Sequence, residues 1–368
     1  MLAVVSLASA ACSTGVSTAP EASAVPSGDP GGRDLVAAAR TEGSLTTIAL
    51  ARGWCGYGAI VDGFKSTYGL DVTELDPNAI SADQIEVLRD GEGRSGPQAP
   101  DVVDLGLTYG PQAREEGLVA PFKVAGWDSI PVGARDADGH WWGGYYGVIA
   151  FEVNTKEVAD VPRDWADLLG PEYQGKISLA GDPHTSSQAV AAIYAASLAN
   201  GGSLDEVGPG LDFFRRLSET GNLAKRAGTS QTVVSGDTPI VIRWTYHGLT
   251  DRAWALARKR PEIAVIVPAS GRLAVPYVQA ISASAPHPNA ARLWEEYLLA
   301  DVGQSLLLEG GCHPIRFDNM VARGVLPQET LEGLPSTDGA SFPTAAQLEA
   351  ATAAIGAGWD EIVGLTIR

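Results

Sequence analysis

Two spacings of apolar residues alternate along the first third of the chain. Runs at 44–50, 71–75 and 101–106 are rich in β-branched and apolar residues and read as strands. The segments that follow, at 59–68, 81–89 and from 111, carry apolar residues at helical spacing, with Ile60, Val61 and Phe64 on one face. Ser81 with Gln84 has the pattern of a helix cap and capping box. The βαβαβα order predicts a parallel sheet covered by helices on both faces. In such sheets ligands bind beyond the carboxyl ends of the strands, which fall here at 54–57 and 106–108.

A long apolar stretch, 145–154, interrupts this series, with Gly143 and Gly144 before it and Gly147 inside it. The alternation then restarts. A helical turn at 165–169 precedes a strand at 175–180, helices at 188–199 and 210–219, and a short helix at 229–234. A strand at 239–244, a helix at 245–260 and a strand at 263–267 follow, and a second apolar aromatic segment, 275–282, closes the run. Packed helices at 289–299 and 302–308 lead into a looser tail with one amphipathic helix near 344–355. The fold class expected is α/β, with two lobes joined by two hinge strands and a ligand cleft between them. Lobe one is drawn from 34–146 and 283–368, lobe two from 147–282.

Composition narrows the function. The chain has 368 residues, enough for two domains, and a net charge of −18. That charge argues against nucleic acid or an anionic membrane surface as partner. Residues 1–11 are apolar and small, and Cys12 follows Ala10 and Ala11 directly. This resembles a bacterial lipoprotein signal at 1–12 in which Cys12 carries lipid, although the basic start is missing and Ser9 stands where Leu is usual. A flexible Ser/Thr/Pro/Ala/Gly tether then runs through 13–33. No other apolar run reaches the ~20 residues that span a bilayer, so the expected membrane attachment is a lipid anchor alone.

With Cys12 lipidated, Cys55 and Cys312 remain as an even pair in an exported protein, where disulfides persist. A bridge between them and two buried free thiols are both open. Catalytic motifs are lacking: there is no G-x-S-x-G elbow, no HExxH and no EF-hand loop. Residues 170–177 approach a P-loop, but Ile177 replaces the magnesium-binding hydroxyl and the segment precedes a strand. The histidines at 140, 184, 247, 287 and 313 are scattered and read as surface or turn residues. No cofactor is expected, and the chain is read as a binding protein rather than an enzyme.

Gly147 to Asn154, followed by Trp165-Ala166-Asp167-Leu168-Leu169-Gly170-Pro171-Glu172-Tyr173-Gln174-Gly175-Lys176-Ile177, resembles the hinge and second-lobe start of bacterial ABC-importer solute-binding proteins of the ferric-ion, thiamine and polyamine branch. The resemblance covers roughly residues 40–320 and implies the type II periplasmic-binding-protein fold. It also implies a small-molecule ligand, ABC permease subunits as partners, a location at the outer face of the plasma membrane or in the periplasm, and a monomer. Where ferric-binding members carry two adjacent tyrosines, this chain reads Trp244-Thr245-Tyr246-His247.

Candidate ligand contacts gather at strand ends and hinge: Trp54, Tyr57, Thr108, Tyr145, Tyr146, Trp244 and Tyr246. Aromatic walls suit flat or cationic solutes. Thr185 and Ser186 open a helix whose free N–H groups suit a carboxylate or phosphate, or serve as an ordinary cap. Asp104, Glu152 and Asp182 are the carboxylates available to an amine. An organic amine such as a polyamine is the favoured solute, with ferric ion, thiamine or a phosphonate as alternatives. The rival classes are a cleft hydrolase and a structural surface lipoprotein.

Overall fold

The computed structural model describes residues 32–91 and 99–368. The signal at 1–12 with Cys12, and nearly all of the tether, lie outside the described residues. In chain order the first lobe is built from α1 (Gly32–Glu42), β1 (Ser44–Ile48), α2 (Tyr57–Tyr68), β2 (Asp71–Leu75), α3 (Ser81–Asp90), β3 (Val102–Gly106), α4 (Tyr109–Glu115) and β4 (Val119–Ala120). β5 (Trp142–Asn154) crosses to β6 (Ile177–Leu179), α5 (Ser187–Ala199), α6 (Gly208–Glu219), α7 (Ser230–Ser235), β7 (Ile240–Trp244), α8 (Thr245–Ala257) and β8 (Ile263–Ile266). β9 (Ala274–Ser282) crosses back to α9 (Pro288–Leu299), α10 (Asp301–Glu309), β10 (His313–Pro314), α11 (Phe317–Ala322), α12 (Gln328–Glu332) and α13 (Ala345–Gly358).

The sheet runs β2-β1-β3-β9-β5-β7-β6. β1 is parallel to β2 and β3, as the βα pattern requires, whereas β9 runs antiparallel to β3 and β5. The two crossing strands therefore lie side by side in the middle of the sheet. All 13 residues of β5 are buried, because it has sheet partners on both edges and helices on both faces. Its first half pairs with β9 and its second half with β7 and β8, so one strand belongs to both lobes. This is the two-lobed α/β architecture, with two hinge crossings, of periplasmic binding proteins. Gly147 has a packing reason: a Cβ there would stand 2.6 Å from the Tyr246 ring.

Two expectations need correction. The boundary that left everything after 283 in lobe one fails at the C-terminus. α13 and the turn Trp359–Val363 pack on α5 and α6, with Trp359 against Phe214, and the Ala227 N–H donates to the Arg368 carbonyl. The C-terminal segment thus covers lobe two as well. Nor do Ser81 and Gln84 cap α3. Asp83 accepts from the Ile80 N–H, while Ser81 Oγ accepts from the Gly106 N–H and Gln84 exchanges two hydrogen bonds with the Asp104 backbone. Both side chains are drawn to the end of β3, where unpaired backbone groups offer stronger partners.

Cys55 and Cys312 are bridged, with Cα atoms 5.2 Å apart. The bridge fastens the turn after β1 to the segment after α10. Contact there is close enough that a Cβ on Gly310 would meet the Gly56 nitrogen at 2.2 Å. The crosslink closes 257 residues, for which chain entropy in the unfolded state gives at most about 5 kcal/mol.

Candidate ligand-binding cleft

The turn between β1 and α2 carries the centre of the site. Ala49 and Cys55 both hold left-handed backbone, with φ of 62° and 47°, a cost that non-glycine residues bear mostly where a loop must aim a side chain. The residue so aimed is Trp54. Its ring edge meets Tyr246 of lobe two at 4.9 Å between centroids and Tyr277 of the hinge at 6.2 Å, and its indole N–H donates to the Tyr145 hydroxyl at 2.8 Å. Trp54 thus bridges the lobes and parts the space between them into two cavities.

The larger cavity has a volume of about 420 Å³. Tyr145, Tyr277 and Trp54 form its aromatic wall, with Tyr145 and Tyr277 stacked at 5.3 Å and nearly parallel. Ala49, Ala51, Pro77, Ala79 and Ile80 form the apolar wall opposite, and Ile80 is 65% exposed at the rim. Asp104, at the end of β3, is the one charged residue lining it among the described residues. Its carboxyl is 5% exposed. Oδ2 accepts from the hydroxyls of Tyr57 at 2.8 Å and Tyr145 at 3.0 Å, while Oδ1 has no hydrogen-bond partner. Burial pushes this carboxyl up to about 7, against the lowering by its tyrosine donors.

The smaller cavity, about 100 Å³, lies on the other side of Trp54. Lobe two lines it with Ser230, Tyr246, His247, Thr250 and Asp251, and lobe one with the disulfide and its glycines. Behind it, Arg243 donates to Glu152, Asp251 and Ser230. Glu152 nonetheless rises to about 8, because burial outweighs the attraction of Arg243. Burial likewise lowers His247 to about 3, helped by Arg243, so this ring is neutral.

Of the candidate ligand contacts named from sequence, Trp54, Asp104, Tyr145 and Tyr246 line the cavities. Tyr57 is fully buried behind Asp104 and touches the site through its hydroxyl. Tyr146 does not line either cavity. Successive side chains of a strand point to opposite faces, so when Tyr145 faces the cleft Tyr146 turns to His313 and Phe342 and meets Thr337 through its hydroxyl. Trp244, 7% exposed, packs beside Tyr246 and lines neither cavity. Thr108, before α4, lines neither as well. At the start of α5, Ser186 caps the helix through Ala189 N–H, the ordinary of its two readings, and Thr185 is exposed outside both cavities. Asp182 holds exposed His184 instead of facing the cleft. His313 is fully buried in β10, contrary to a surface or turn reading. Tyr277, the loop 77–80 and His247 are site residues that sequence reasoning did not single out. For Tyr277 the signal was its place opposite Tyr145 in the paired hinge strands.

A strand-end cleft, hinge strands between two lobes and an aromatic-lined cavity are the geometry of solute capture. The sequence profile of bacterial extracellular solute-binding proteins matches residues 98–338. The chain belongs to that family. Solved solute-binding proteins share its fold at low sequence identity. Iron-bound HitA from Pseudomonas aeruginosa is 17% identical, with 88% of this chain and 99% of that one aligned and a TM-score of 0.61. A ferric binding protein from Campylobacter jejuni is 18% identical over 86% and 99%, with a TM-score of 0.64. The periplasmic binding protein AfuA from Actinobacillus pleuropneumoniae, with fructose-6-phosphate bound, is 19% identical over 87% and 98%, with a TM-score of 0.61. These likenesses establish the fold alone. An uncharacterized protein of Haemophilus influenzae is 34% identical over 111 residues, which span 27% of this chain and 31% of that relative's length. Among the described residues of this solute-binding protein, no helix is long and apolar enough to cross a membrane.

Proposed function

We propose that this solute-binding protein is the receptor of an ABC importer and that it captures an organic amine in the larger cavity. One observation carries the reading: Asp104, buried, with one carboxylate oxygen unpartnered and no cation beside it, lines a space walled by Trp54, Tyr145 and Tyr277. A cation there gains both a charge partner and aromatic faces. No Lys, Arg or His lines the larger cavity, which disfavours phosphates and phosphonates. Polyamines and thiamine fall within the cationic class. Capture proceeds by rotation of 34–146 against 147–282 about β5 and β9, with the C-terminal segment moving with the latter. Membrane attachment through a lipid on Cys12, a monomeric state and delivery to permease subunits complete the proposal, and its class is binding rather than catalysis.

Ferric ion is the second reading, favoured by the oxygens of Asp104, Tyr57 and Tyr145 lying within hydrogen-bond distance of one another. Only Asp104 and Tyr145 of these line the cavity, which offers an ion too few protein oxygens. A thermal-shift panel of amines, thiamine, ferric citrate, a phosphonate and fructose-6-phosphate tests the choice. Stabilisation by amines or thiamine alone is expected, growing with concentration by mass action. Stabilisation by ferric ion or by the anions alone overturns the amine reading. Turnover of a bound compound overturns the receptor.

A further inference from the structure

The surroundings of Asp104 restrict its ligand further than its sign. Tyr57 from α2 and Tyr145 from β5 donate to the carboxylate, Gln84 from α3 holds its backbone, and Gln279 and Tyr277 approach from β9. The remaining ionisable neighbour is Glu295 on α9, fully buried, with neither oxygen hydrogen-bonded. Burial, and then the charge of Asp104, push Glu295 well above the ordinary carboxyl range. No Lys, Arg or His side chain contacts Asp104 among the described residues. Two buried carboxyls without a cation between them do not both ionise, because each charge lacks solvent and repels the other. Glu295, outside the cavity lining, is thus the acid that stays neutral throughout, and the described lining offers one negative charge, that of Asp104 once it loses its proton.

The rest of the lining repeats that limit. Asn78, Ser81 and Gln84 are its other polar residues and are neutral. Beyond Trp54, the carboxylate of Asp251 is already taken by Arg243. A second ammonium on the same ligand would meet no free carboxylate on either side of Trp54.

We propose that the larger cavity binds an organic cation of one positive charge, with an apolar body, and that this cation enters in exchange for the proton of Asp104. The exchange balances as protonated Asp104 plus cation giving the carboxylate–cation pair plus one proton to solvent. It rests on the reading that this cavity is the ligand site, and it narrows the amine class from polyamines to singly charged compounds.

Titration calorimetry of the full chain tests it, with choline as a probe whose charge cannot itself titrate and 1,4-diaminobutane as the doubly charged comparison. Each is titrated at pH 6 and pH 8.5 in two buffers of different ionisation heat. Choline is expected to release close to one proton at pH 6 and close to none at pH 8.5, and to bind about tenfold weaker per pH unit below 7. The diamine is expected to bind no tighter than choline. Glu295→Gln separates the two carboxyls: proton release that persists in this variant supports Asp104 as the donor, and release lost with Glu295 overturns it. Choline binding without proton release at pH 6, or diamine binding tighter by tenfold or more, overturns the inference while leaving the amine receptor standing. Failure of every cation to bind at either pH removes both.

Discussion

Two buried acid centres flank Trp54, and they are built in opposite ways. In lobe two, Glu152 and Asp251 share Arg243, a guanidinium whose donors reach both and Ser230. In lobe one, Asp104 has two phenols and no cation; each centre keeps one carboxylate oxygen without a partner, Oδ1 of Asp104 and Oε1 of Glu152. Both centres are shielded from water, so the difference does not come from depth. The acids of lobe two have their cation within the fold, in Arg243. Asp104, lining a cavity, has no cation of its own, and on the proposed reading the ligand supplies it.

The largest effect is expected where the centre held by Arg243 is broken. Arg243→Met leaves two buried carboxyls without their cation, which should cost about 3–5 kcal/mol of stability. Urea unfolding at neutral pH measures it. An unchanged midpoint would mean that Arg243 is dispensable, and the contrast with Asp104 would fall.

Asp104→Asn should do the reverse, keeping the fold and losing the ligand. Removing the charged partner of a bound cation is expected to weaken amine binding by about 2–5 kcal/mol. Stability should respond through pH. A carboxyl raised by folding contributes stability that is fully present below its unfolded value, near 4, and lost as pH rises through its folded value. For Asp104 that loss begins near pH 4 and is complete near pH 7, and for Glu152 it continues to near pH 8. The unliganded protein should therefore weaken between about pH 4 and pH 8, with the Asn variant showing a shallower decline. Melting curves across that range decide it, and an identical slope in both proteins would place the titration elsewhere.

The aromatic wall comes next. Tyr277→Ala should cost about 1–3 kcal/mol of binding at pH 8, where Asp104 is already ionised. The same change at Trp244, which packs beside Tyr246 outside both cavities, should leave affinity nearly unaltered. Equal losses at both positions would dissolve the distinction between wall and core.

That distinction marks where the sequence ran out. The βα order and the crossing strands follow from apolar spacing and glycine placement, and both are present. The phase of β5 does not follow. Both of its faces are apolar because both are buried, so nothing in Tyr145-Tyr146 says which ring looks into the cleft. Sheet pairing with β9 sets that phase, and it brings Tyr277 onto Tyr145 from 132 positions away in the chain. The Ser81 and Gln84 cap was misread for a related reason. A local pattern competes with whatever the tertiary fold brings close, and here the end of β3 won. α13 is alanine-rich and carries weak directional information, so its docking on lobe two was legible only from its contacts.

The smallest effect sharpens the comparison most. Tyr57 lies behind Asp104, fully buried, and its polar contact with the site is the hydroxyl that donates to Oδ2. That hydrogen bond favours the ionised carboxylate, so Tyr57→Phe should raise the carboxyl further above 7. Affinity for an amine at pH 7 should then fall by about 1 kcal/mol, the usual worth of one such bond, because more of the protein must lose a proton before it binds. At pH 9, where wild type and variant are both ionised, most of the difference should vanish. Phenylalanine keeps the ring and its packing against Tyr145, so the fold should be nearly as stable as before. A loss that is equal at both pH values would mean that Tyr57 acts by shape alone, and Asp104 would no longer differ in kind from the acids that Arg243 holds.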